Sequence, residues 1–387
     1  MSTERGAPAA GERVWPAPVP PLVFRKASLL CYRLFDIADN VNLEQARALL
    51  ALDSRRLSLA REGSENLILP NPPLTVELGR RSLPLRQGPI EVHVTARVFD
   101  HGAISVILKV PVVPGTTMEA LIPFADELYD SAPIDQLAAE ITASLRQSLA
   151  SVLEAPHLWK ETESYTVIYV EQIDGDPSAA TVLEDSDLPR LMLGETGDRP
   201  LSRRERLDVI EHHFSYTDQD LVVVDWNSAF VYEPSGSGDI PDILEICNAQ
   251  LFELRYYDDV LDVQLQKIYD QISNRQPTWL RNFWSPYKNL ARRVLVTLLE
   301  LSEFVERVEN SLKIVGDFYL AKVYEAAVKQ LRVNAWQRSV TRKQQLLAQT
   351  YQLLKGEVDT DRSLTLELTI VLLIVGEVFV ALFSIWK

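Results

Sequence analysis

Residues 366–386, LELTIVLLIVGEVFVALFSIW, restrict what this chain can fold into more than any other stretch. A helix rises about 1.5 Å per residue, so about twenty apolar residues cross a hydrocarbon core of about 30 Å. Only Glu367 and Glu377 carry charge within the run. Glu367 falls at the expected water interface. Glu377 falls near the middle, where a carboxylate must be protonated or paired to be tolerated. The competing reading, a core helix in a soluble domain, fits poorly because β-branched and aromatic residues occupy every side of the cylinder. The sequence therefore predicts one transmembrane anchor over 365–387. Gly376, Glu377 and Glu367 are candidate contacts at the membrane interface or between neighbouring spans, with Gly376 permitting close backbone approach.

An anchor at that end sets an expectation for the rest. The opening residues, MSTERGAPAAGERVWPAPVPP, place charges and prolines where a secretory signal requires an unbroken apolar run, and read as a disordered Pro-rich arm over 1–23. The bulk of the chain is then expected on the cytosolic side of a single-pass membrane protein, at the inner membrane in a bacterial cell. Arg338, Arg342, Lys343, Lys355 and Arg362 precede the apolar run and agree with that orientation, whereas Lys387 lies beyond it. A formal charge of −15 argues against nucleic acid as a partner. Cys31 and Cys247 are too far apart in sequence to suggest a disulfide framework, and read as small buried hydrophobes.

Along the chain, an apolar run over 27–37 predicts a buried strand, and Asn42 is placed to cap a helix reaching about residue 60. Short segments follow over 74–85. Residues 90–99 alternate in hydrophobicity, and Asp100-His101-Gly102 leads into AISVILKV, which predicts a hairpin with Gly102 supplying the positive φ of a tight turn. Thr116 or Thr117 caps a helix to Tyr129, a second helix spans 132–153, and 164–173 returns as a strand. This predicts an α+β domain over 24–175. A further α+β segment over 176–238 holds two short helical stretches and a second hairpin, LVVVDW-NS-AFVYE.

Few residues offer chemistry. His93 and His101 lie on the first hairpin without a second ligand at metal spacing. His212, His213, Asp218 and Asp220, with Asp225 beyond them, form the one cluster of ligand-type side chains, but adjacent histidines on a helix diverge by about 100° and do not make an i, i+4 pair. They read as a helix terminus. Gly236 and Gly238 in PSGSGDIPD raise the question of a phosphate loop; no lysine follows, and Asp239 and Asp242 would repel phosphate, so the stretch reads as a joint with Asp239 as N-cap. No catalytic residue, metal or cofactor is assigned.

From 239 to 356 the pattern becomes helical. Cys247, Leu251, Leu254, Leu261, Leu265, Ile268 and Ile272 keep a four-three spacing interrupted at Asp258. Ser285 and Pro286 open another helix, whose apolar series Val294, Leu298, Leu301, Val305, Val308, Leu312 and Val315 predicts a coiled-coil seam. A third helix, with a phase shift over 333–336, is expected to stop before Gly356, leaving a linker over 357–364. The expected architecture is thus an α+β cytosolic domain, a long heptad-bearing stalk and one transmembrane helix, with the seam closed by a neighbouring helix of the same chain, the favoured bundle, or by the same helix of another chain in a coiled coil.

Leu366-Glu367, the aliphatic run 368–376 and Glu377-Val378, together with RVFDHGAISVIL, DLVVVDWNSAFVY and the FWSP of 283–286, give this layout a resemblance to the "required for meiotic nuclear division" family over most of 27–386. Leu368 departs from it where an aromatic residue is expected, as does Leu108-Lys109 at the end of the first hairpin. The resemblance implies a distant relative that is membrane-anchored, with a mitochondrial member in the family, and that organises or tethers others; it transfers no catalytic residue.

Three functions are compatible with these features. The favoured one is a non-enzymatic tail-anchored scaffold that forms homo-oligomers or holds a protein partner. The second is an oligomeric ion-transport or channel subunit using a ring of Glu377 side chains. The third is an enzyme with its site in the α+β region, for which His212, His213, Asp218, Asp220 and Asp225 are the only candidates.

Overall fold

A computed structural model of the chain describes residues 21–52, 58–59, 71–184, 186–197, 199–273, 288–311 and 318–385. Its organising strand is β1 (Val23–Asp36). The strand is apolar along most of its length because it is covered on both sides: Leu29, Cys31 and Phe35 enter one core, Tyr32 and Leu34 the other. After β2 (Ala38–Val41), α1 (Leu43–Leu52) starts where expected, with Asn42 Oδ1 accepting the Gln45 amide at 3.0 Å. It does not reach residue 60, since Ser58–Leu59 is a short strand, β3.

A meander follows, formed by β4 (Leu74–Leu85), β5 (Gly88–Val98) and β6 (Ala103–Pro111). The 74–85 region is one strand rather than several segments, with a register shift at Gly79. The β5–β6 turn is the predicted one. Gly102 has φ +94°, and a Cβ there would meet the Ala38 carbonyl oxygen at 1.6 Å, so the turn lies hard against β2.

Next come β7 (Thr116–Thr117), α2 (Met118–Tyr129) with Thr117 as its side-chain cap, and α3 (Ala132–Ser148). A single 3-10 turn at Ala150–Val152 leads into β8 (Leu153–Pro156), which pairs with β2 in a separate two-stranded sheet. The chain continues through β9 (Glu163–Ile173), α4 (Ala179–Glu184), α5 (Leu188–Leu193), α6 (Arg203–Val209), β10 (His213–Phe214), β11 (Leu221–Val224) and β12 (Ser228–Tyr232).

The main sheet runs β10-β11-β12-β9-β1-β6-β5-β4-β3, with β7 paired to the start of β1. Every pairing is antiparallel except β12 with β9. Residues on both sides of the Gly175-Asp176-Pro177 turn therefore share one sheet. One face is covered by α2, α3 and α5, which bury Leu121, Ile134, Leu145 and Leu191. The other lies under α7 (Asp239–Ser273), which crosses β9, β1 and β6.

α7 extends beyond the sheet and is joined by α8 (Lys288–Ser311), α9 (Phe318–Gln330) and α10 (Val333–Ile385). In the predicted seam, Val294 is buried and Leu298 half-buried in the same core as Ile268 of α7 and Leu347 of α10. Leu301, Val305 and Val308 lie on α8, while Leu312 and Val315 fall outside the described residues. The phase shift near 333 is a break between α9 and α10, with Arg332 at φ +55°.

α10 differs most from expectation. It is one helix of 53 residues, about 80 Å long, and Gly356 does not end it. An interior glycine costs a helix only about 1 kcal/mol, and Leu354 and Val358 are buried on either side. Val340, Leu347 and Leu354, seven residues apart, pack against the other stalk helices. From 366 to 382 every residue is exposed, and an 18-residue window of mean hydropathy 2.3 within the helix is 0 % buried.

Candidate functional site

The two faces of β1 carry different chemistry. Opposite the apolar layer, α7 meets the sheet through a row of paired charges. Near its start, Asp242 and Glu245 bracket Arg97 of β5: Nη2 donates to Asp242 Oδ1 at 2.7 Å and Nη1 to Glu245. Burial pushes both carboxyls above their ordinary pKa, with Arg97 opposing that rise. Farther along α7, Arg255 pairs with Glu163 at the start of β9. Where α7 leaves the sheet, Lys343 of α10 bridges Asp258 at 2.9 Å and Asp262 at 2.6 Å, and Ser339 donates to Asp258 at 2.7 Å.

The densest part lies at the sheet end, where β1, the β5–β6 turn and the strap after β8 converge on the middle of α7. His157 Nε2 is 3.0 Å from Asp36 Oδ2, and Nδ1 faces the Ala155 carbonyl at 3.1 Å and Asp39 at 3.3 Å. Carboxylates thus stand within ion-pair distance of both ring nitrogens, although neither His157 Nε2 nor the Asp36 oxygens make a hydrogen bond of regular geometry. Burial lowers the pKa of His157, but the close approach and charge of Asp36 outweigh that and the net direction is upward. Asp36, only 2 % exposed, is also shifted up, by burial first, against the pull of His157.

His157 stacks on Tyr256 of α7 with centroids 4.8 Å apart. His101 approaches Glu253 of α7 at 3.6 Å and Asp100 at 3.3 Å. Trp159 completes the strap, packing on Phe252 and Tyr256 and donating from Nε1 to Asp259 at 3.3 Å. Ala155, just before His157, sits at φ +47°, a left-handed conformation that costs a residue with a Cβ about 1–2 kcal/mol and is held here by the contacts around it.

The sequence-predicted candidates are dispersed. His93 pairs with Glu77 at 2.7 Å on exposed sheet surface. His213 is exposed and faces the Ile210 carbonyl, and Asp218 is exposed. Asp220 closes its own turn, accepting from the amides of Tyr216 and Thr217, the Thr217 hydroxyl, and Tyr319 Oη of α9 at 3.1 Å. Burial opposes its charge, and these donors outweigh it, so its pKa lies below the usual carboxylate range. Asp225 accepts from Gln330 of α9 at 2.9 Å. Asp220 and Asp225 thus dock α9 on the sheet. Among the described residues, no group of three or more His, Cys, Asp or Glu side chains is arranged to hold a metal ion.

The PSGSG loop borders a cavity of about 400 Å³ lined by Asp220, Glu233, Asp239, Tyr216 and Tyr319, a set that repels phosphate. Gly238, not Asp239, stands at the cap position, because its carbonyl accepts the Asp242 amide while Ser237 Oγ takes that of Asp239. Asp36, Arg97, His157, Glu245 and Glu253 were not singled out in the sequence. The available signal was a charge embedded in an apolar run: Asp36 closes such a run, and Glu245 and Glu253 interrupt the apolar face of α7.

A model of the family described as "Uncharacterized protein MJ0711, N-terminal domain" matches residues 26–238, from β1 to the residue before α7. The chain belongs to this family. It is 24 % identical over 247 residues to the uncharacterized protein MJ0711 of Methanocaldococcus jannaschii, covering 64 % of this chain and 74 % of that protein. No solved structure matches. The MJ0711 family match overturns the resemblance to the "required for meiotic nuclear division" family. That resemblance rested on hairpins, long helices and an apolar terminal helix in order. The hydrophobic patterning of sheets and the thickness of bilayers impose such a layout on unrelated chains.

Proposed function

We propose that this MJ0711-family protein is a membrane-anchored scaffold that holds its α+β body at a fixed distance from a bilayer. The observation that carries this reading is the continuity of α10, whose first half is built into the stalk and whose last 17 described side chains, 366–382, are exposed and almost wholly apolar. An exposed surface of that kind needs lipid or a partner to cover it. The absence of a linker matters as much as the anchor. A helix uninterrupted from Val333 to Ile385 fixes both the height and the tilt of the body.

Arg338, Arg342, Lys355 and Arg362 support a cytosolic body; Lys343 contributes less, being engaged by Asp258 and Asp262. Glu367 fits the water interface. Within the bilayer, Glu377 is a contact between neighbouring spans, with Gly376 beside it. The test is alkaline carbonate extraction of membranes from cells expressing the full chain. Wild type is expected in the pellet. Leu372→Lys combined with Val375→Lys, each adding about 2.5–3.5 kcal/mol to insertion at a helix centre, is expected to move it to the supernatant. Wild type released as a soluble monomer would overturn the reading.

A further inference from the structure

We propose that the groove between α3 and the strap after β8 is a binding site for a small amphipathic carboxylate, an acyl-type chain ending in a single negative charge. The groove holds a cavity of about 460 Å³, within the range of about 300–1,000 Å³ usual for small-molecule sites. Phe35, at the end of β1, and Leu153 and Leu158, from β8 and the strap, give it apolar walls. Leu158 is 57 % exposed, an apolar side chain left open to water beside an apolar hollow. Arg146 is the only charged residue among the described residues lining the cavity, and it makes no ion pair or hydrogen bond with any of them. The site belongs to the α3 side of the sheet, so it is independent of the membrane reading.

Two polar residues select the head of the ligand. Thr142 and Arg146 stand one turn apart on α3 and both line the cavity; helix side chains lean toward the N-terminus, which lays Arg146 back over the turn that carries Thr142. Thr142 is 3 % exposed, and its Oγ1 has no hydrogen-bond partner. A hydroxyl left so costs about 1–3 kcal/mol, which a carboxylate oxygen accepting from it would remove. Threonine on a helix divides between two χ1 rotamers, so the hydroxyl has a second direction open to it. The guanidinium suits a carboxylate through two parallel N–H donors. A phosphate dianion suits the site less, because Arg146 lies in the last turn of α3, where the helix dipole is negative and one arginine does not offset two charges. A cationic head would face Arg146 directly, and an alcohol would leave it unpaired.

The test is photoaffinity labelling of the full chain in lipid nanodiscs near neutral pH, using a diazirine-bearing decanoate below saturation and reading the labelled peptides by mass spectrometry. Label is expected within residues 139–158, displaced by plain decanoate and not by decanol or decylamine at the same concentration. Arg146→Gln is expected to lower that labelling about tenfold, the scale of one hydrogen bond to a charged group. Ala143→Trp, which fills the groove from an exposed position on α3, is expected to abolish it. Amide exchange of β1 and α2 at the wild-type level shows that each variant is folded. Label that is absent from 139–158, or displaced equally by decanol or decylamine, overturns the site, and this series on wild type decides the matter even where a variant misfolds. Labelling unchanged in both folded variants overturns it as well. A chain that does not enter nanodiscs is labelled in buffer, so failure of the membrane reading leaves the test intact.

Discussion

The two faces of the sheet both bury apolar clusters but differ in the charges set among them. Under α2 and α3 the contacts are Leu121, Ile122, Leu128, Ile134 and Leu145 against Leu29, Val106 and Leu108, with Arg33 and its partner Asp135 as the main charged intrusion. Under α7 the apolar contacts are interleaved with Arg97, Asp242, Glu245, Glu253 and the two histidines. An apolar layer stabilises in proportion to area and barely responds to pH. A charged seam adds little net stability, but it fixes register and makes attachment conditional on every charge keeping its partner. The α2/α3 layer thus belongs to the permanent body, and the α7 layer to a joint.

The largest expected effect comes from breaking the seam at Arg97. Arg97→Met leaves Glu245 and Asp242 buried without their cation and is expected to cost about 3–5 kcal/mol near neutral pH in chemical denaturation. The loss should depend on pH. Both carboxyls already have raised pKa values, and without Arg97 they rise further, so stability is lost as pH climbs through the new values; the deficit is small near pH 4 and grows toward pH 8. Leu121→Ala on the opposite face is expected to cost about 2–5 kcal/mol by the same measurement, with no pH trend beyond wild type. If the two variants showed the same pH profile, the contrast between faces would fail. Smallest is Tyr319→Phe, which removes one of several donors to Asp220; about 1 kcal/mol is expected, read as faster exchange of α9 amides rather than of the sheet.

Much of the body was legible in the sequence because local rules and tertiary outcome agree. The alternation over 90–99, the glycine turn at 102 and the caps at Asn42 and Thr117 all appear as expected. The strand order was not legible. Nothing local to β12 says that it runs parallel to β9 across helices α4 to α6. The seam was hidden for the same reason, since Asp36, His101, His157 and Glu253 are separated by more than fifty residues at each step and form no motif. One trace was visible: the break at Asp258 in the apolar spacing of α7, which the structure fills with Lys343 and Ser339. Gly356 misled because a local preference of about 1 kcal/mol is outweighed by packing on both sides.

The unbroken α10 also sets a compass bearing for whatever follows it. At about 100° per residue, Glu377 lies about 140° around the axis from Leu354 and about 120° from Leu347, the side chains that face the other stalk helices. Glu377 therefore looks away from the other stalk helices, and two copies meeting through it would hold those helices to the outside. Deleting one residue after Val358 would swing that bearing by about 100° and bring Glu377 to the side that Leu347 and Leu354 face, whereas seven inserted residues would lengthen the spacer by about 10 Å with only about 20° of swing. If the terminal segment spans a bilayer as proposed, orientation in its plane is thus written into the length of a single helix.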